Sequence, residues 1–103
     1  MIRVSVLYPN SEGKRFDEDY YVNKHLTMIA DKVGPAMVCY EIDRGVGGAV
    51  PGSPPPFVAG VHMFFDSLQS FQGAFGAHAG PIMTDVPNYT DIQPTIQISE
   101  VIR

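Results

Sequence analysis

The chain is 103 residues long, 45% apolar, and carries a formal charge of −4 from 7 basic and 11 acidic side chains. That length fits one domain, residues 1–103, able to bury about 60–65% of its extended surface. Its Lys and Arg residues form no stripe that could neutralise phosphates, so nucleic acid is excluded as the expected partner.

Cys39 is the one cysteine, which rules out an intrachain disulfide. No run approaches the ~20 apolar residues of a membrane helix, and Met1 leads straight into a strand-like run containing Arg3 rather than into a leader. The expectation is a soluble, cytoplasmic protein with no membrane contact.

In chain order, residues 2–8 (IRVSVLY) alternate and are rich in β-branched side chains, the pattern of a strand. Turn chemistry follows at PNSEG. Residues 16–33 (FDEDYYVNKHLTMIADKV) read as one amphipathic helix, with Asp17 as N-cap and Gly34-Pro35 as its end. Tyr21, Val22, His25, Leu26, Met28, Ile29 and Val33 fall on one broad side of it. Residues 36–44 (AMVCYEIDR) alternate again as a second strand. GVGGAVPGSPPP is a loop, too rich in Pro for a central strand.

Residues 57–65 (FVAGVHMFF) are apolar nearly throughout, as in a strand covered on both faces. Asp66 or Ser67 can cap a second helix, along which Leu68, Phe71, Phe75 and His78 recur before Gly80-Pro81 breaks it. Pro81 can start one further short turn, VPNYTD is loop-like, and residues 92–103 close the chain as a strand.

The order β-α-β-β-α-β is that of a ferredoxin-like α+β fold, an antiparallel sheet with its helices on one face. The opposite face carries enough apolar residues that a second copy is expected to cover it, giving a homodimer.

His25 stands in the middle of the first helix's apolar stripe, with Tyr21 one turn before it on the same face. Burial would keep such an imidazole neutral and usable as a base, and a phenol beside it could orient it or hold an oxyanion. The plainer alternative is a core histidine satisfied by its neighbours. His78 ends the apolar stripe of the second helix and could instead meet free carbonyls at a helix C-terminus. If both helices cover one sheet face, His25 and His78 share a cavity suited to a small organic molecule. His62 lies in the third strand, and sequence does not decide which face it joins.

Neither metal nor cofactor is expected: the three histidines lack metal-ligand spacing, and there is no phosphate loop or dinucleotide fingerprint. Asp85, Tyr89 and Asp91 could supply oxygens after folding. Cys39 reads as a small buried residue.

VSVLYPN, RFDEDYYVNKH, FFDSLQSF and AHAGPIMTDVPNYTD, taken together and in this order, resemble the EthD family over nearly the whole chain. The resemblance implies a dimeric α+β barrel and a part in converting an organic compound, as in ethyl tert-butyl ether degradation. Similar barrels that cyclise polyketides use Tyr and His under the helices as acid/base groups, which implies catalytic roles for Tyr21 and His78. His25 belongs to the EthD-like block itself. Those cyclases can take a further His from the third strand, where this chain has Ala59.

Two classes of function follow from the resemblance and the residues together. One is cofactor-independent acid/base chemistry: dehydration, cyclisation or isomerisation by His25, His78 and Tyr21. The other is an accessory module that delivers a metabolite to an oxygenase. Haem held by His78 is a third, implied by related barrels alone.

Overall fold

The computed structural model describes residues 1–103. Four strands, β1 (Ile2–Pro9), β2 (Met37–Arg44), β3 (Phe57–Phe65) and β4 (Thr95–Glu100), pair antiparallel in the order β2-β3-β1-β4. With helical segments after β1 and after β3, this is the ferredoxin-like α+β arrangement. The last strand is shorter than its alternation suggests, because Pro94 has no N–H to give a ladder and pairing begins only at Thr95.

Register assigns the two faces. Val4 opposes Met63 and Ile98, Val6 opposes Val61 and Ile96, and Tyr8 opposes Ala59. Val4, Tyr8, Ala59, Val61, Met63 and Phe65 are buried on the side the helices cover. The other face carries Ser5, His62 and Glu41 in one row, with Leu7 and Phe64 among the polar groups. Leu7 lies over Gly60, where a Cβ would meet its side chain. The third strand is thus fully covered on one face only, and the far face is wetter than its run of apolar letters suggests. No helix is long and apolar enough to cross a membrane.

The first helix starts at Glu18, with the Asp17 carboxylate accepting from Tyr20 N–H, and Phe16 instead bridges to Thr90. It runs as α1 (Glu18–Tyr20), a π turn (Tyr21–His25) and α2 (Leu26–Val33). Tyr21, His25, Ile29 and Val33 are all buried. In a regular α-helix a stripe at every fourth residue drifts about 40° per step. One wider turn, in which Leu26 N–H reaches Tyr21 O, takes up part of that drift. Gly34 ends the helix at φ 63°, a backbone that favours glycine.

The second helical region breaks at Ala77–His78 rather than at Gly80-Pro81: α3 (Leu68–Gly76) is followed by α4 (Ala79–Asp85). A straight helix would require an N–H on Pro81 and would drive its ring into the carbonyl of Ala77. Placed in the first turn of α4, Pro81 loses nothing. A 3₁₀ turn over Val86–Asn88 then replaces the expected loop.

Candidate functional site: a histidine–carboxylate pair on an apolar cavity

His25, 3% exposed, projects from the π turn toward the end of α4. Its Nδ1 lies 2.8 Å from Asp85 Oδ2. Asp85 Oδ1 accepts from Tyr20 Oη at 2.6 Å and from Asn88 Nδ2 at 3.0 Å. Burial works against the Asp85 charge, but the hydrogen bonds from Tyr20, Asn88 and His25 outweigh it and hold the carboxyl below its ordinary range. Asp85 is also the last residue of α4, where the helix dipole disfavours a carboxylate. It is therefore held there by its partners and not by the helix.

An ionised carboxylate only accepts, so Nδ1 of His25 carries the proton and Nε2 the lone pair. Burial lowers the His25 pKa, the Asp85 bond and charge offsetting this in part. The resting imidazole is neutral. Nε2 has no protein partner, yet it is not sealed off: the one occluded side-chain polar atom without a partner is Tyr21 Oη.

His25 lines a cavity of about 370 Å³ between sheet and helices, with mostly apolar neighbours such as Ile29, Phe71, Phe75 and Ile82. Among its lining residues no Lys or Arg occurs, and the rim carries Asp91. Such walls suit a neutral molecule and disfavour a carboxylate or phosphate.

Straps across the chain hold the far wall. Asp17 N–H donates to Tyr89 O at 2.7 Å, Thr90 Oγ1 to Arg15 O at 2.6 Å, and Arg15 N–H to Asp91 Oδ1 at 2.8 Å. They seat Tyr89 against His25, with ring centroids 4.5 Å apart. Tyr8 Oη and Tyr89 Oη share a hydrogen bond of 2.7 Å, and both residues line the cavity.

The structure separates the residues singled out by sequence. Tyr21 stacks on His25, centroids 6.0 Å apart, but its hydroxyl is occluded and the residue does not line the cavity. Burial pushes its phenol pKa up, with Tyr8 adding to the shift. His78 sits half-buried at the α3–α4 break and is not brought into the cavity with His25. His62 is on the face away from the helices, between Ser5 Oγ at 2.8 Å and Asp43 Oδ2 at 3.1 Å. Ala59 is buried on the helix side, and Cys39 is exposed rather than buried. Sequence reading named Asp85 and Tyr89 only as loose oxygen donors and missed Tyr8 and Tyr20. Nothing local joins positions 25 and 85; their contact is made by the kink at His78.

A family model described as EthD domain matches residues 12–93. The crystal structure of an EthD-like protein from Ralstonia eutropha JMP134 is 42% identical, with TM-score 0.95, covering 99% of this chain and 92% of its own. An ethyl tert-butyl ether (EthD) family protein from Bacillus halodurans C-125 is 22% identical, with TM-score 0.68 and 99% coverage of each chain. HapK from Hahella chejuensis, 14% identical with TM-score 0.58 over 99% of this chain and 93% of its own, shares the fold. The curated proteins hold no match. The family model spans most of the sequence and a near-identical backbone carries the same description, so this chain belongs to the EthD family.

Proposed function

We propose that the chain binds a small, neutral, largely apolar organic molecule under its helices, and that His25 acts on it as a general base without a cofactor. The observation that carries this is the pairing of Nδ1 with Asp85 at 2.8 Å, which leaves the Nε2 lone pair free on a residue that lines the cavity. The reaction class is proton transfer at carbon next to a carbonyl, the shared first step of dehydration, cyclisation and isomerisation. An intact ether offers His25 no comparably acidic C–H. In a sequence of reactions like ether degradation, this site would follow the oxygenation that creates the carbonyl.

The test is deuterium uptake at the methyl group of β-acetonaphthone in heavy water, followed by NMR. Wild type is expected to speed exchange, with H25Q falling to background and D85N losing about 10²-fold. Equal rates in wild type and H25Q would overturn the assignment. Binding without any exchange favours the accessory module that delivers a metabolite. The homodimer belongs to the same proposal, with Ile96 of β4 lining the cavity at an uncovered edge.

A further inference from the structure

We infer that Tyr8 and Tyr89 together form the oxyanion-binding end of this cavity, and that the ligand is a ketone or related carbonyl compound whose oxygen they receive. The argument is an inventory of hydrogens. Each phenol brings one O–H, and the 2.7 Å bond between Tyr8 Oη and Tyr89 Oη consumes one of the two. No other group makes a well-formed hydrogen bond to either hydroxyl. Tyr21 also reaches Tyr8 and acts there as the donor, the contact raising its own pKa and lowering that of Tyr8, so it adds a hydrogen to the pair and takes none from it. Both residues are at least nine-tenths buried and both line the cavity. A buried O–H left unmade is costly, and the cavity is the unfilled space that both residues border.

The geometry fits one substrate oxygen beside one substrate carbon. Tyr89 packs against His25 with ring centroids 4.5 Å apart, so donor and base border the same space. In the step they would share, the C–H bond next to the carbonyl breaks and its proton goes to His25 Nε2. The C–H electron pair becomes the new C=C bond, and the carbonyl π pair moves onto oxygen, where the phenol donates. Returning the proton to the same or another carbon regenerates the imidazole. Burial raises the pKa of both phenols, so they remain donors throughout the neutral range. With no Lys or Arg lining the cavity, these donors would be the groups that meet the developing charge.

The inference rests on the reading of His25 for its chemistry, yet it can be tested apart from it. The probe is β-acetonaphthone with an isotope-labelled carbonyl, bound to wild type, H25Q and the double variant Y8F/Y89F and measured by infrared difference spectroscopy. A carbonyl stretch at lower wavenumber in wild type and H25Q, moving back toward its value in apolar solvent in the double variant, is expected, since either phenol left alone would keep an O–H to donate. Affinity for the ketone relative to β-ethylnaphthalene should drop about tenfold in the double variant. An unchanged stretch between wild type and the folded double variant would overturn the inference, as would failure of the folded wild type to bind the ketone. Loss of deuterium exchange with the infrared shift retained counts against His25 alone.

Discussion

Asp85 sets which nitrogen of His25 carries the proton, and through that bond it also shapes how the protein responds to acid. Burial depresses His25 below its ordinary 6.5, so the unfolded chain takes up this proton at a higher pH than the folded one. The stability supplied by the neutral imidazole is therefore complete above about pH 6.5 and is lost as pH falls toward the folded value. Asp85 is also held below its ordinary 3.8, which adds a second loss at lower pH. Melting temperature is expected to fall between about pH 7 and pH 5, and H25Q to flatten that part of the curve. A variant curve as steep as wild type would mean another group carries the dependence. At this scale the sequence showed His25 and Tyr21 on one helix face, because four-residue spacing is local. It could not show Asp85, whose partner lies 60 positions away.

The elements carry the site through two irregularities. The π turn seats Tyr21 and His25 as stacked rings while keeping Ile29 and Val33 buried. The break between α3 and α4 turns the chain so that Asp85 ends beneath the first helix. α3 contains Gly73 and Gly76 and fully buries none of its residues, so its N-cap matters more than usual. Ser67 Oγ accepts from Ser70 N–H at 3.1 Å. S67A is expected to cost about 1 kcal/mol in urea denaturation, with α3 loosening over the cavity. A change below a few tenths would show that tertiary packing alone holds the helix. Helix existence and the cap were legible in the sequence. The break was misplaced because Pro81 marks a helix start as readily as an end, and only the α4 backbone distinguishes the two.

For the whole molecule, apolar side chains stand open along both edges of the sheet. Ile96 and Ile98 on β4 remain 60% and 45% exposed, and Val38 and Tyr40 on β2 are exposed as well. A second copy placed over β4 would bury Ile96 and close the cavity it lines. Sedimentation is expected to give the mass of two chains for wild type and of one for I96K. A monomeric wild type would sink the proposal. On the far face, from which the sequence argument for two copies started, His62 meets both Ser5 and Asp43.

Taken alone, the sequence determined the ferredoxin-like order and the family, because alternation, helical period and turn chemistry are local and run the length of the chain; which strand face the helices cover came from the register. Tertiary structure alone decided which of the candidate residues meet. A hydrogen bond between His25 and Asp85, a phenol pair from Tyr8 and Tyr89, and the exclusion of His78 from the cavity all depend on where distant segments cross. Those crossings follow from a π turn and a kinked helix, which change directions in space while leaving the apolar pattern of the sequence nearly untouched.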